Sequence, residues 1–265
     1  MKLSSSSIKC FKACPRMYKL RYIEGLEPIQ QAEALETGKT YHSKLEELYK
    51  NGCIDVSDLS KESAMATAYQ KYIYPEFKVR QAEEWVQYEL IDDDILVGRV
   101  DGIAEDGSIV EHKTTGAEIG EEYEYNLQWD EQILAYMLMT GARKVWYTVC
   151  RKPTIRQKKN ESEEEFFQRM VDWYDEDTES KIRLLEIYRT DEEVSQFEKE
   201  LRDLAVTMTF TFDVGKLGRD LYYRNTCHCN AWGRRCEYSS VCLNYDPNQE
   251  YVEFERKERR DKDGN

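Results

Sequence analysis

The sequence predicts an α/β or α+β domain with a helical shell, and three observations support this prediction. Helical spacing of apolar residues fills the first 75 positions, short β-type runs follow between 85 and 112, and helical periodicity then returns. Elements in this order are typical of an α/β or α+β domain with a helical shell. With 265 residues, of which 40% are hydrophobic, the chain is long enough to bury a substantial core.

Six segments have helical periodicity. The first begins at a serine that can cap it, and the second carries His42 and Glu46 on one face because they are four positions apart. The last begins at Asp191, whose side chain suits a helix N-terminus. The predicted helices span residues 4–24, 33–50, 61–75, 126–140, 161–173 and 191–206.

A change of pattern near position 85 predicts the sheet. Short runs with β-type composition are separated by Asp92–Asp94 and Glu105–Gly107, which are typical of tight turns. The predicted strands are Trp85–Leu90, Ile95–Ala104, Ser108–His112, Lys144–Cys150 and Ile182–Arg189. The first three form an antiparallel meander, and the last alternates as an edge strand does.

Composition limits the compartment and the function classes. No run reaches the roughly 18 apolar residues that a membrane span needs, and the N-terminus lacks the apolar segment of a secretory signal. We therefore expect a cytoplasmic protein with no membrane partner. Because cytosolic thiols stay reduced, the clustered members of the 8 cysteines are predicted to be metal ligands rather than disulfides.

The net charge of −14 argues by itself against a nucleic-acid partner, because phosphate binding needs Lys and Arg. The charges are segregated, however. Residues 161–200 hold fifteen acids and five bases, whereas residues 151–159 hold five bases and no acid. A DNA-binding interpretation therefore requires a local basic groove on an acidic body, although an ordinary solvated surface explains the 151–159 run equally well.

Two neighbouring predicted strands carry acids and a lysine inside apolar patterns. Asp101 lies late in the first strand, and Glu111 and Lys113 follow Ile109 and Val110 on the next. Side chains on a strand repeat their direction every two residues, so Glu111 and Lys113 share a face. Carboxylates from adjacent strands suit a hard cation such as Mg²⁺ or Mn²⁺, and a lysine beside them can hold a water or stabilise developing phosphate charge.

The segments Gly98–Asp101 (G-R-V-D) and Glu111–Lys113 (E-H-K) resemble the motifs G-x-(I/V)-D and (D/E)-x-K. These motifs are typical of the PD-(D/E)XK nuclease superfamily, in particular its RecB-like exonuclease branch, which includes CRISPR-associated and phage exonucleases. The resemblance implies a restriction-endonuclease-like core, a mixed sheet flanked by helices. It also implies that Asp101 and Glu111 hold a divalent metal while Lys113 assists the attacking water.

Residues before and after this centre match further motifs of the same branch. His42 follows Gly38 in a G-x-x-x-H pattern, and the resemblance implies that it is a further metal ligand. The backbone carbonyl of His112 is implied to contact the same metal. Gln132 and Tyr136 form Q-x-x-x-Y on one face of a predicted helix, where the resemblance implies contacts to substrate or to the lysine.

Cysteines near the two chain ends form the last predicted site. Cys14 precedes a proline, and Cys236 and Cys242 have the spacing of the last pair in RecB-like iron–sulfur nucleases. The resemblance implies a 4Fe-4S cluster that joins the N- and C-terminal helical segments.

The fourth cluster ligand and the metal itself have alternatives. Cys229 is preferred, but it precedes Cys236 by seven positions where the family usually has a C-x2-C pair, and Cys227 stays open. Zinc, held by a local set of the C-terminal cysteines and His228, is the alternative to iron.

The matching motifs extend from Ser7 to Cys242, so we expect one nuclease domain over residues 1–249 and a charged tail over 250–265. The predicted function is metal-dependent exonuclease hydrolysis of phosphodiester bonds at DNA ends, in phage or bacterial recombination or repair. DNA with single- or double-stranded ends is the expected partner, with single strands favoured as the resemblance implies, together with a recombination or replication protein. A nuclease of CRISPR adaptation and a catalytically silent DNA- or partner-binding protein on the same fold are the alternatives.

Overall fold

The predicted change from helices to strands is present in the computed structural model, which describes residues 1–29 and 33–257. The helices are α1 (Ser5–Ala13), α2 (Pro15–Tyr18), α3 (Glu33–Asn51), α4 (Lys61–Tyr72), α5 (Glu121–Leu127), α6 (Glu131–Thr140), α7 (Glu163–Glu176), α8 (Thr178–Lys181) and α9 (Asp191–Lys216). The strands are β1 (Lys2–Leu3), β2 (Leu26–Pro28), β3 (Val79–Ile91), β4 (Asp94–Ala104), β5 (Ile109–Thr115), β6 (Lys144–Arg151), β7 (Ile182–Tyr188) and β8 (Phe254–Arg256).

Two predicted helices are wrong as continuous elements. The segment predicted over 4–24 is interrupted at Cys14, which is extended (φ −162°, ψ 109°) before Pro15, because proline disfavours a helical conformation in the residue that precedes it. A π-helical segment, Lys19–Ile23, then follows α2. The segment predicted over 126–140 is α5 and α6, and Asp130 caps α6 by accepting a hydrogen bond from the Gln132 amide at 3.1 Å.

By internal contacts the chain separates into two units. The sheet unit comprises residues 32–86 and 98–195, and the terminal unit comprises residues 1–31, 87–97 and 196–265. Within the described residues, no helix is both long and apolar enough to cross a membrane.

The sheet unit contains the mixed sheet that the family resemblance implies. Strands β4 and β5 are antiparallel, β5 and β6 are parallel, and β6 and β7 are antiparallel, while β3 pairs with β4. The register sets Glu111 opposite Tyr147 and Lys113 opposite Val149. A mixed sheet flanked by helices is therefore confirmed.

Alternation along β5 sends its side chains into two different cores. Val110 packs with Tyr41 and Tyr69 of α3 and α4 on one face, and Ile109 packs with Met137 of α6 on the other. His112 lies on the same face of the strand as Val110, whereas Glu111 and Lys113 lie on the face of Ile109. The acid and the lysine therefore face the α6 side of the sheet.

The terminal unit has a small core of its own. Strand β2 pairs with β8 in antiparallel fashion, and Leu20, Leu26, Tyr238 and Phe254 pack together there. Strand β8 lies inside the segment predicted to be a charged tail, and residues 258–265 of that tail are outside the described residues.

Candidate active site

Three side chains of the sheet unit bring their ligand atoms within 4.8 Å of one another: His42 of α3, Glu83 of β3 and Asp101 of β4. His42 Nδ1 lies 3.2 Å from Asp101 Oδ1, and His42 Nε2 lies 3.0 Å from the carbonyl oxygen of His112. The His112 amide donates to Asp101 Oδ2 at 2.8 Å. Asp101 is thus fixed by one helix and by the neighbouring strand.

Glu83 is the member of this group that the sequence analysis missed, because the predicted strand began only at Trp85. Its φ of 57° is uncommon for a residue other than glycine and interrupts the alternation of β3. Arg99 Nε holds the Glu83 carboxylate at 2.8 Å. Backbone strain of this kind is concentrated at functional sites, and the only sequence signal for it is an acid inside a strand.

Glu111 and Lys113 form a second cluster on the same strand. Glu111 is 3% exposed, and its Oε1 accepts a hydrogen bond from Lys113 Nζ at 2.8 Å. Its other oxygen, Oε2, is buried and has no hydrogen-bond partner among the residues that the structure describes. A buried carboxylate oxygen without a donor is costly, so this oxygen fits a site for a cation.

Asp130 is a further polar residue that the sequence analysis did not identify. Its Oδ2 lies 3.1 Å from Lys113 Nζ and accepts a hydrogen bond from the Tyr147 hydroxyl at 3.2 Å. The lysine therefore sits between two carboxylates, Glu111 and Asp130. Nothing in the sequence pattern separates Asp130 from an ordinary helix cap, because it fulfils that role as well.

The charges of these groups follow from burial and from their neighbours. Burial lowers the pKa of His42, but its hydrogen bond to Asp101 and the negative charges of Asp101, Glu111 and Glu83 together outweigh that effect and raise the pKa to about 8. Burial, and then the charge of Asp101, raise the pKa of Glu111. Burial lowers the pKa of Lys113, but Glu111 and Asp130 raise it above its usual value, so the ammonium stays charged.

The His112 side chain points away from the group formed by His42, Glu83 and Asp101 (the metal group). Its Nδ1 lies 2.5 Å from Thr148 Oγ1, its Nε2 lies 3.2 Å from the Tyr49 hydroxyl, and burial lowers its pKa to about 3. The imidazole is therefore a neutral part of the core. Its carbonyl, the atom predicted to contact the metal, faces His42.

Gln132 and Tyr136 meet each other as their four-residue spacing predicts. Gln132 Nε2 donates to the Tyr136 hydroxyl at 2.8 Å, and that hydroxyl donates to the Arg99 carbonyl at 2.7 Å. A Cβ on Gly98 would lie 2.8 Å from the Tyr136 ring, which explains the glycine of the G-R-V-D segment. The hydroxyl is thereby used to fix the strand of Asp101, and its predicted contact with substrate or lysine stays a prediction.

The donor set fits a divalent cation. His42, Glu83 and Asp101 offer one nitrogen and two carboxylates close together, and Glu111 adds the unpartnered oxygen on the adjacent strand. Carboxylate oxygens with one imidazole suit Mg²⁺ or Mn²⁺.

The predicted cysteine ligands lie around one cavity of the terminal unit. Cys14, Cys229, Cys236 and Cys242 all line it, together with His228. The Asn225 amide donates to Cys14 Sγ at 3.4 Å, and the Cys236 amide donates to the Cys229 carbonyl at 2.9 Å.

Two further observations concern the choice of ligands and the pKa of the thiols. Cys227 is exposed and is not among the residues that line the cavity. Burial raises the pKa of both Cys236 and Cys242.

The basic run 151–159 begins at the end of β6 and continues as a loop. The Lys152 amide donates to the Thr115 carbonyl at 2.8 Å, which anchors the start of the loop beside the end of the Lys113 strand. Pro153 is buried, whereas Arg156, Lys158 and Lys159 are exposed, and none of these three side chains forms an ion pair with another described residue. The loop therefore starts beside the strand that carries Lys113 and exposes three bases further along.

Comparisons with solved structures show similarity to nucleases at low sequence identity. An alkaline exonuclease, LHK-Exo from Laribacter hongkongensis, is 12% identical, with coverage of 82% of this chain and 92% of that chain and a TM-score of 0.40. A putative exonuclease from Eubacterium rectale is 13% identical, with coverages of 78% and 81% and a TM-score of 0.47. A phage-related exonuclease from Haemophilus somnus is 16% identical, with coverages of 75% and 94% and a TM-score of 0.39.

Sequence comparison identifies the family. No curated protein matches the chain. The model of the PD-(D/E)XK nuclease superfamily matches residues 2–243, which include every residue of the metal group and of the Glu111–Lys113 cluster. The chain therefore belongs to the PD-(D/E)XK nuclease superfamily.

Proposed function

We propose that the chain is a deoxyribonuclease that depends on Mg²⁺ or Mn²⁺ and hydrolyses phosphodiester bonds at DNA ends. The observation that carries this proposal is the buried Glu111 carboxylate, which has one oxygen on Lys113 and the other without a partner among the described residues. The His42–Glu83–Asp101 group provides the further ligands. A bound Mg²⁺ or Mn²⁺ supplies charge that polarises the phosphodiester and lowers the pKa of a water.

Each protein group has a separate task in this proposal. His42, Glu83, Asp101 and Glu111 hold the cation, with the His112 carbonyl as the further ligand that the family resemblance implies. Arg99 orients Glu83, and the His112 amide orients Asp101. Such supporting contacts fix ligand geometry before the metal binds.

Lys113 has the properties of a group that orients water or stabilises developing negative charge. Its ammonium stays charged and is held at 2.8 Å from Glu111 and 3.1 Å from Asp130. A fixed cation costs no reorganisation when charge develops on the phosphate. Gln132 and Tyr136, bonded to each other and to the Asp101 strand, position this centre.

The preference for DNA ends rests on the RecB-like motifs, G-x-(I/V)-D, E-x-K and Q-x-x-x-Y, in this order along the chain. The exposed bases of loop 151–159 supply local positive charge for the DNA backbone on an otherwise acidic protein. We propose that residues 1–249 act as one nuclease domain in the cytoplasm, in recombination or repair, with a recombination or replication protein as a further partner.

The test is digestion of end-labelled single- and double-stranded DNA with Mg²⁺, Mn²⁺ or EDTA. We expect metal-dependent release of nucleotides from ends, and a closed circular substrate should resist. If wild type and Asp101→Asn both leave every DNA substrate intact, the nuclease proposal is overturned and the catalytically silent binding alternative is favoured.

We also propose that Cys14, Cys229, Cys236 and Cys242 bind a 4Fe-4S cluster. The support is that all four line one cavity although Cys14 and Cys242 are far apart in sequence. Cys227 lies outside that lining, which favours Cys229 as the fourth ligand.

The cluster is tested by metal analysis of protein purified without oxygen. We expect about four irons and four sulfides per chain, with broad visible absorption. A colourless protein that contains one zinc would overturn the assignment.

A further inference from the structure

Two large aromatic side chains lie exposed near the candidate catalytic lysine. Trp129 is 69% exposed and Tyr125 is 56% exposed, and their ring centroids are 6.0 Å apart at an interplanar angle of 68°. Large aromatic groups are normally buried because their transfer out of water is favourable. An exposed pair in mutual contact therefore indicates a binding surface.

The pair is displayed on a rigid turn. The Trp129 amide donates to the Asn126 carbonyl at 3.2 Å, and the Asp130 amide donates to the Leu127 carbonyl at 3.2 Å. The Leu127 side chain is buried in the core beneath α6. Since the backbone is fixed on both sides, the indole is presented with little conformational freedom to lose on binding.

The turn leads directly into the candidate active site. Asp130, the residue after Trp129, contacts Lys113 at 3.1 Å and the Tyr147 hydroxyl at 3.2 Å. Consecutive Cα atoms are about 3.8 Å apart. The backbone of Trp129 is thus one residue away from a carboxylate that holds the lysine.

One cation beside the pair lacks a carboxylate partner among the described residues. The Arg189 guanidinium donates to the carbonyls of Tyr188 and Gln128, and no described carboxylate lies within ion-pair distance of it. Of the acids nearby, Glu124 pairs with Arg183, whereas Asp130 shares Lys113 with Glu111. Backbone carbonyls do not neutralise the guanidinium, so its charge can still attract a phosphate.

We propose that Trp129, supported by Tyr125, stacks on an unpaired nucleobase of the substrate and thereby selects single-stranded DNA or frayed ends. The proposal rests on the proposed nuclease function and assigns residues to the single-strand preference that the family resemblance implies. A base offers its flat face only when it is not stacked in a duplex, and base–aromatic stacking tolerates any sequence. Arg189 supplies the contact to the adjoining phosphate.

The test compares ligands that have the same phosphates but differ in bases. Binding of an oligothymidylate and of an abasic oligomer of equal length is measured by fluorescence anisotropy, with EDTA present so that no cleavage occurs. We expect wild type to bind the oligothymidylate about tenfold more tightly than the abasic oligomer. Trp129→Ala should bind the two equally, and Trp129→Phe should retain the preference because it retains an aromatic face.

Tyr188→Ala is the matched control, since Tyr188 is 60% exposed but its ring lies under Lys144 and its hydroxyl bonds to Glu186. It should bind both oligomers as wild type does. Equal binding of the two oligomers by wild type, or an unchanged preference in Trp129→Ala, would overturn the inference.

The same proteins distinguish this inference from the nuclease proposal. If wild type cuts DNA but Trp129→Ala keeps the base preference, only the stacking role fails. If wild type prefers the oligothymidylate but cuts no DNA with any metal, the stacking surface stands and the nuclease proposal fails.

Discussion

The two candidate cofactor sites of this chain are held in different ways. In the sheet unit, Asp101 is bonded to His42 of α3 and to the His112 amide, and Glu111 is bonded to Lys113. In the terminal unit, Cys14 and the C-terminal cysteines share a cavity. Among the described hydrogen bonds, the shortest to one of these thiols runs from the Asn225 amide to Cys14 Sγ at 3.4 Å. Thiols are weak hydrogen-bonding groups, so their own contacts contribute little to holding the site together.

Under the proposed functions, the two sites should depend differently on their cofactors for structure. Oxygen and nitrogen ligands can be pre-arranged by ordinary polar contacts, so loss of Mg²⁺ or Mn²⁺ should leave the sheet unit folded. Thiolate ligands far apart in sequence are joined mainly by the metal bonds themselves, so loss of the cluster should loosen the terminal unit. Activity and stability should therefore respond separately to changes at the two sites.

The largest expected effect is on catalysis at Asp101. Asp101→Asn removes the negative charge that contacts His42 and that would bind the metal. We expect kcat to fall by roughly 10³-fold or more, with a melting temperature close to that of wild type. Asp92→Asn is the control, because Asp92 is exposed at φ 50°, a conformation that asparagine tolerates well. A large loss of stability in Asp101→Asn would mean that the metal group is also a structural element.

The converse effect is expected at the cysteine cavity. Cys236→Ser should abolish iron binding and lower the melting temperature by roughly 10 °C, because a cofactor that binds only the folded state contributes stability of a few kcal/mol. Cys227→Ser, at the exposed position outside the cavity, should keep the iron and the melting temperature. Loss of iron without a change in the melting temperature would contradict the expected structural role of the cysteine site.

Substitution of Glu83 tests whether this residue is one of the metal ligands. Glu83→Gln should weaken the apparent affinity for Mn²⁺ by roughly tenfold while kcat at saturating metal stays near that of wild type. Glu84→Gln changes the exposed neighbouring acid in the same way and should have no effect. Equal metal dependence of the two variants would remove Glu83 from the ligand set.

Substitutions in the basic loop test whether its positive charge supports DNA binding by a protein that is acidic overall. Replacing Arg156, Lys158 and Lys159 by Gln should weaken DNA binding and reduce the slope of log affinity against log salt by about 0.7 to 0.9 for each phosphate that is no longer neutralised. Lys78→Gln, a single exposed change, is the control and should leave the slope unaltered. An unchanged slope in the triple variant would identify the loop as an ordinary solvated surface.

The smallest expected effect concerns pH and the metal-free sheet unit. The pKa of His42 is about 8 in the folded protein and about 6.5 when unperturbed, so its protonated form stabilises the fold. This contribution, about 2 kcal/mol, is fully present below pH 6.5 and is lost as the pH rises through 8. Thermal unfolding in EDTA from pH 6 to 9 should show the loss in wild type and a flatter profile in His42→Gln.

Some features of the fold were predictable because they depend on local chemistry. Strand alternation sends Glu111 and Lys113 to one face, and their side chains are 2.8 Å apart as that parity requires. The spacing of Gln132 and Tyr136 predicts a contact on one helix face, and it is made at 2.8 Å. Both predictions succeed because a period of two or of four residues fixes which side chains are neighbours.

Other features depend on contacts between distant residues or on local effects that compete with periodicity. Glu83, whose ligand atom lies with those of His42 and Asp101, itself has a positive φ, and periodicity in the sequence does not predict that conformation. Helical spacing on both sides of Cys14 predicts a continuous helix there, but the effect of Pro15 on the preceding residue is stronger and breaks it.

Motif spacing and strand parity are local properties, and they were enough to indicate the superfamily and to place Glu111 and Lys113 on one face of a strand. The packing of the elements was needed to bring the ligand atoms of His42, Glu83 and Asp101 together, to set Asp130 beside Lys113 and to place Cys229 rather than Cys227 at the cavity. Each of these depends on which elements pack together, and burial then sets the charges. A side chain's partner across a sheet or a turn is fixed by the fold, since packing brings together residues whose separation along the chain carries no periodic signal.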